Sequence, residues 1–256
     1  MFLAQNSSDV PAKNNPFVFK FHIPKNRMYY DYYVKLILDP NERNSDIFFV
    51  YDGLNKYERR VANYLKYMSE KDGSKRLKML DYSPDLNIGS YLDTTRNSIY
   101  LVSFYKTKKV NEILKKIEKL SNYNVKVFGH NYWVSNPRIE KNLLDTLGAR
   151  VYTDFYMDNN PTLFNLIKTE YTKLTKDRAV TDVFLGYDVA MYVTTLLNDY
   201  GVKFPLSIDK FRYFGAATNV HMKPLYNGKG KLLFFENQSK TLLRATKEGW
   251  VKELEP

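Results

Sequence analysis

The chain has no cysteine in its 256 residues, which excludes disulfides, zinc–thiolate centres, iron–sulfur clusters and thiol catalysis. Histidine is nearly as scarce. His22, His130 and His221 lie far apart, none has a second histidine or a carboxylate at metal-ligand spacing, and all three read as structural or surface residues. No segment approaches the run of about 18 apolar residues that a membrane-spanning helix needs. The opening "MFLAQNSSDVPAKNN" has too short an apolar stretch and no basic leader for a signal peptide, so the protein is expected either to stay where it is made or to have a targeting segment ahead of Met1. The phosphate-loop pattern, a G-x-G-x-x-G turn after a strand and a G-x-S-x-G elbow are all missing, and "YNGKGKLL" reads as a hairpin turn. No cofactor or metal is expected.

The chain is rich in tyrosine, with 22 in all, and carries a net charge of +11. That excess makes contact with phosphates, acidic glycans or anionic surfaces physically easy. The densest basic run, "KTKKVNEILKKIEKL" (106–120), sets Lys108, Lys109, Lys115, Lys116 and Lys119 opposite Val110, Ile113, Leu114, Ile117 and Leu120 on one helix. That is the pattern of a solvated helix face, and nucleic acid is not the expected partner.

Along the chain "PFVFKFHIP" reads as a strand and "NRMYYDYYVKLIL" as a helix. From "DIFFVYD" onward strands and helices alternate: "KYERRVANYLKYMSEKDG", "RLKMLDYS", "IYLVSFY", the lysine-rich helix, "NVKVFG", "NPRIEKNLLDTLG" and "ARVYTDFYMD". Apolar strands alternating with amphipathic helices predict a doubly wound parallel α/β sheet over residues 43–157. Residues 158–206 then read as two successive crossover helices. Residues 207–256 read as a β-rich edge with turns at Asn227–Gly228, Gln238–Ser239 and Glu248–Gly249. Residues 1–42 are left as a tail and an N-terminal remnant.

Open α/β sheets bind ligands beyond the carboxyl ends of their strands. Asp52 and Asp158 fall there as site candidates, though an aspartate at a strand end also caps the turn that follows. Aromatics collect at the same positions: Tyr57, Phe104 with Tyr105, Tyr132 with Trp133 beside Asn131, and Tyr156. They read equally well as the lining of a ligand cleft or as the consequence of a tyrosine-rich composition.

The order of "DIFFVYDGLNKYERRVANYLKYMSEKDG", "IYLVSFYKTKKVNEILKKI", "NVKVFGHNYW" and "FLGYDVAMYVTTLLNDYG" resembles the type I periplasmic-binding fold of branched-chain amino-acid receptors, in particular its second lobe. "FYMDNNPTLFNLIKTEYTKL" and "FFENQSKTLLRAT" add a resemblance to the receptor-like domain of LysM-containing Gram-negative envelope proteins. The resemblance implies a non-enzymatic domain of the periplasm or cell envelope that closes two lobes around a small polar, acidic or glycan-like ligand or takes an envelope partner. Its ligand residues would be Tyr57, Tyr105, Asn131, Trp133, Tyr156 and Asp158. The loop that in such receptors carries an acid for a ligand's ammonium reads His130, Asn131, Tyr132 here, so an amino acid is not the implied ligand.

In that comparison residues 1–42 supply only part of a first lobe. An apolar face of Phe164, Ile167, Val183, Tyr187, Ala190, Met191 and Leu197 is then expected to be uncovered, with Phe164, Ile167, Tyr187 and Met191 as interface residues for another chain or a missing first lobe. The alternative functions are an assembly subunit with a vestigial cleft, or a cytosolic α/β enzyme or nucleic-acid binder. Gly186, inside the apolar helix 183–201, is expected to lie against an adjoining backbone, since glycine there costs roughly 1 kcal/mol relative to alanine.

Overall fold

The computed structural model describes residues 2–4, 15, 18–157 and 159–253. In chain order its strands are β1 (Phe2–Ala4), β2 (Val18–Lys20), β3 (Ser45–Tyr51), β4 (Leu77–Asp81), β5 (Asn97–Val102), β6 (Val125–Gly129), β7 (Arg150–Thr153), β8 (Tyr213–Phe214), β9 (Asn219–Val220), β10 (Met222–Tyr226), β11 (Leu232–Asn237), β12 (Thr241–Thr246) and β13 (Gly249–Lys252). The α-helices are α1 (Lys25–Leu38), α2 (Lys56–Lys71), α3 (Thr107–Glu118), α4 (Tyr132–Ser135), α5 (Lys141–Thr146), α6 (Pro161–Thr175) and α7 (Thr181–Tyr200). The chain forms two compact units: the first combines the chain up to Pro24 with Thr153–Thr241, and the second combines Lys25–Tyr152 with the chain from Leu242.

The second unit is built on a seven-stranded sheet of order β13-β12-β7-β6-β5-β3-β4, in which β4, β3, β5, β6 and β7 run parallel. Ile47, Phe48, Phe49 and Val50 are all fully buried, as befits an unbroken apolar strand covered on both faces. From β3 the chain crosses to β4 on one side, and from β5 it moves to β6 on the other. Right-handed crossovers then put their helices on opposite faces, so the doubly wound α/β class holds.

Alternate strand residues sort the two faces. Ile47, Phe49, Ile99 and Leu101 join Tyr29, Tyr32, Tyr33 and Leu36 of α1 and Val61, Ala62 and Leu65 of α2 in one cluster. On the other face Phe48 stacks on Tyr100 at 5.0 Å. In α3, Val110, Ile113, Leu114 and Ile117 are fully buried as the 3–4 spacing predicts, each such side chain worth roughly 1.5–3 kcal/mol of burial.

The unit boundaries fall at other residues than the sequence pattern suggests. Helix α1, read as part of a first-lobe remnant, belongs to the second unit, because its tyrosine stripe is covered by β3, β5 and α2. The C-terminal β segment is also divided. Hairpin β10–β11 lies in the sheet of the first unit and hairpin β12–β13 in that of the second, so Gln238–Ser239 is a passage between sheets and not a hairpin turn.

The first unit has a four-stranded sheet of order β1-β2-β11-β10, with β2 parallel to β1 and β11. Phe19 stacks on Phe235 at 4.9 Å and shares a cluster with Tyr192 and Leu196 of α7 and with Phe204 and Ile208. Lys20 and Glu236, in register across β2 and β11, form a buried ion pair at 3.6 Å. A one-residue slip would leave both charges uncompensated, so the pair specifies register more than it adds stability.

Helices α6 and α7 form a second cluster in this unit. Phe164 stacks on Phe184 at 4.3 Å, and Ile167, Val183 and Tyr187 pack with them around Ala216 and Ala217. The apolar face expected to be uncovered is therefore only partly so: Phe164, Ile167, Val183 and Tyr187 are occupied by the unit's own packing, while Met191 (38% exposed) and Leu197 (44%) remain at the surface with Ala190.

Candidate functional site

The parallel run β4-β3-β5-β6-β7 is the 2-1-3-4-5 order of doubly wound folds, whose ligand crevice opens where the winding reverses, between the carboxyl ends of the first and third strands. Here those strands are β3 and β5, and the residues that follow them are Asp52 and Ser103.

A polar network occupies this position. Asn55 caps α2, accepting the Tyr57 N–H at 3.0 Å, and its amide donates to Glu58 Oε1 at 3.0 Å. The other Glu58 oxygen accepts the Asp52 N–H at 2.8 Å and the Ser103 hydroxyl at 2.9 Å. Asp52 accepts the Leu54 N–H at 3.1 Å and pairs with Lys109, whose ammonium also lies 5.4 Å from the centre of the Tyr82 ring. Burial raises the Glu58 pKa above its ordinary value, outweighing the hydrogen bonds it accepts. Burial acts the same way on Asp52, but Lys109 and the Leu54 N–H hold that carboxyl below its ordinary value.

Asp52 therefore caps the turn after its strand, one of the two readings open to it in the sequence, and pairs with Lys109 as well. Lys109, read as part of a solvated helix face, is turned inward to meet it. Glu58, Ser103 and Lys109 were not among the site residues read from the sequence. Only the Asn-x-x-Glu spacing of a capping box, Asn55 to Glu58, signals any of them.

Two glycines permit close approaches at the same edge. A Cβ on Gly53 would lie 2.2 Å from Asp81 Oδ2, and the bare N–H donates to Asp81 Oδ1 at 2.8 Å. A Cβ on Gly129 would lie 2.1 Å from the Trp133 ring, so glycine lets the indole fold over the end of β6, where Nε1 donates to the Phe104 carbonyl at 2.8 Å. Trp133 is consequently 1% exposed, and its faces are not available for stacking, contrary to the role inferred for it.

The outward surface of this edge includes aromatic and amide groups beside the exposed Leu54, Lys56 and Lys106. Tyr105 lies 6.1 Å from the His130 ring and meets Tyr132 edge-on at 6.4 Å. His130 Nδ1 accepts the Tyr132 N–H at 2.9 Å, which fixes the start of α4. Tyr132 is 48% exposed, Tyr105 and Asn131 are half-buried, and Leu54 and Tyr57 stand almost free at 96% and 73%. Of the predicted ligand residues, this edge brings together Tyr105 and Asn131 and places Tyr57 after β3. Tyr156 belongs to the first unit, where its N–H donates to the Ala217 carbonyl at 2.8 Å. Asp158 lies outside the described residues. Among the described residues no three His, Asp or Glu side chains are grouped to hold a metal ion.

No protein-family model and no curated protein matches the chain. Solved structures do. A branched-chain amino-acid ABC transporter periplasmic ligand-binding protein from Burkholderia xenovorans superposes with a TM-score of 0.62 at 11% identity, over 96% of this chain and 68% of that one. An ABC transporter substrate-binding protein from Desulfitobacterium hafniense, solved with leucine, gives 0.57 at 12% identity, over 92% and 67%. LpoA from Haemophilus influenzae gives 0.59 at 12% identity, over 99% of this chain and 43% of that one. At these identities the likeness is one of fold, and the fold is that of the type I periplasmic binding proteins. Among the described residues no helix is long and apolar enough to cross a membrane.

Proposed function

We propose that the chain is a solute-binding domain without catalytic activity, working in the periplasm or cell envelope, and that it takes a small polar or glycan-like ligand on the aromatic edge of its second unit. Tyr105, Tyr132 and Asn131 are the contact residues, with Tyr57 at the margin; stacking on tyrosine faces and hydrogen bonding to the amide suit a sugar ring. The carrying observation is the contrast at the carboxyl edge of the sheet. The acid–base groups there, Asp52, Glu58, Ser103 and Lys109, are engaged with one another, while the aromatic and amide groups Tyr105, Tyr132 and Asn131 face outward beside the exposed Lys56 and Lys106. The solute-binding proteins of this fold support the binding reading. The kinship with LysM-containing envelope proteins rests on the order of sequence segments alone.

Calorimetric titration with N,N′-diacetylchitobiose and, separately, with leucine tests the proposal. Saturable binding of the disaccharide, weakened about tenfold or ~1.4 kcal/mol in Tyr105→Ala and in Tyr132→Ala, is the expected result. Absence of disaccharide binding, or preference for leucine, would overturn it.

The surface position of Met191, Ala190 and Leu197 on α7 supports a second reading, that this helix face meets another protein chain. A concentration-independent monomer in light scattering, unaltered by Met191→Glu, would count against self-association through it.

A further inference from the structure

The first unit holds a basic cleft remote in sequence from the residues assigned to the ligand. Asp209 and Lys210 of a short turn, Arg212 after it, and His221, Lys223 and Pro224 at the start of the edge strand β10 surround a cavity of about 550 Å³. That volume is within the range of small-molecule sites.

Three features make it more than a scatter of surface lysines. First, Lys210, Arg212 and Lys223 converge on one cavity, and none of them forms an ion pair among the described residues. Three cations gathered beside one carboxylate leave a net positive lining that an anion would neutralise. Second, the wall is rigidly held. The His221 N–H donates to Asn237 Oδ1 at 3.0 Å, its carbonyl accepts the Gln238 N–H at 3.0 Å, and its ring Nε2 donates to the Asp209 carbonyl at 2.9 Å. Asn237 is fully buried, and its amide is anchored on the carbonyls of Phe21 and Asn219 at 3.2 and 3.0 Å. The side chain that ties the turn to the strand is thus fastened to the sheet. Third, the lining sets three cations against a single carboxylate, Asp209, a balance that suits a ligand with more than one negative charge.

We infer that this cleft binds a phosphate-bearing ligand through Lys210, Arg212 and Lys223, with Arg212 offering the planar fork that fits phosphate oxygens. A soluble phosphate ester and the headgroup of an anionic phospholipid share this chemistry.

Two probes separate these sources: inorganic pyrophosphate, titrated by calorimetry at low ionic strength, and cosedimentation with phosphatidylcholine vesicles with and without phosphatidylglycerol. Saturable pyrophosphate binding, weakened about tenfold in both Arg212→Ala and Lys223→Ala and unchanged in Lys173→Ala on α6, is the expected result. Vesicle binding that depends on phosphatidylglycerol, is lost in the same two variants and is competed by pyrophosphate assigns the site to a headgroup. Pyrophosphate binding with no vesicle binding assigns it to a soluble ester. The inference is overturned if neither probe binds, if pyrophosphate fails to compete with the vesicles, or if Lys173→Ala weakens binding as much as Arg212→Ala, which would show diffuse attraction to a basic protein.

Discussion

Gly215 lies directly against the carboxylate of Asp188: a Cβ on the glycine would be 2.4 Å from both Cγ and Oδ1. The reason is the seat that Asp188 provides for the following turn. Fully buried on α7, it accepts the N–H of Ala216 at 2.8 Å on one oxygen and those of Ala217 and Thr218 at 2.9 Å on the other. Burial raises its pKa, and the three N–H donors only partly restore the charged form. Asp188→Asn turns an amide N–H₂ toward at least one of these backbone N–H groups, and leaving a buried donor unmet is expected to cost about 1–3 kcal/mol. Gly215→Ala forces the fixed carboxylate aside at about 1–3 kcal/mol. Urea denaturation followed by circular dichroism measures both, and a loss under about 0.5 kcal/mol in Asp188→Asn, the level of an ordinary surface change, would mean that the turn does not depend on the carboxylate.

Gly186 yields the opposite expectation. It lies within α7, exposed, with nothing among the described residues within 4 Å of the position a Cβ would take. The close backbone approach suggested by its place in an apolar helix is absent among the described residues. Gly186→Ala should therefore stabilise the protein by about 0.5–1 kcal/mol through helix propensity alone. A destabilised variant in the same urea series would show that this position needs its freedom.

These two glycines illustrate what could be read from the sequence. The alternation of apolar runs with helical stripes disclosed β3 to β7 and α2, α3, α6 and α7, because periodicity is a local property. The partner of an element is not local. α1 and α7 both read as apolar stripes, and which sheet covers which stripe depends on contacts more than a hundred residues apart, such as Leu242 beside Tyr32. The site was legible to the same degree. Strand ends marked where Asp52, Tyr105 and Asn131 would fall, but the inward turn of Lys109 depends on its pairing with Asp52, 57 residues away, and the burial of Trp133 on Gly129 and the Phe104 carbonyl, none of which carries a pattern of its own.

Trp133 gives this contrast an optical readout. The chain has two tryptophans, and only Trp133 is fully buried; Trp250 is half-buried. Gly129→Ala puts a methyl group into the space of the indole and should evict it at a cost of about 1–3 kcal/mol. Read in a Trp250→Phe background, because Trp250 lines the same cavity as Trp133, the fluorescence maximum is expected to shift to the red and its quenching by iodide to rise. Unchanged emission would show that the strand end yields instead of the ring.

The His22–Asp154 pair carries a pH dependence whose sign follows from its geometry. His22 Nδ1 donates to Asp154 Oδ2 at 3.0 Å, and the same oxygen accepts the Ile23 N–H at 2.9 Å, so the aspartate holds two consecutive residues of the segment after β2. That hydrogen bond, opposed by burial and aided by the charge of Asp154, raises the His22 pKa above its ordinary value of 6.5. The folded state thus binds the proton more tightly than the unfolded state. Its contribution to stability is complete below pH 6.5 and declines as pH rises through the higher folded value. Since about a third of the His22 side chain is exposed, solvent screening keeps the effect modest. The difference in unfolding free energy between the native protein and His22→Gln should be largest in mild acid and diminish as the pH rises past neutrality, the glutamine keeping a neutral hydrogen bond to Asp154. A difference that stays constant from pH 5.5 to 8.5, roughly one unit below and two above an unperturbed histidine, would mean that His22 acts through packing and not through its proton.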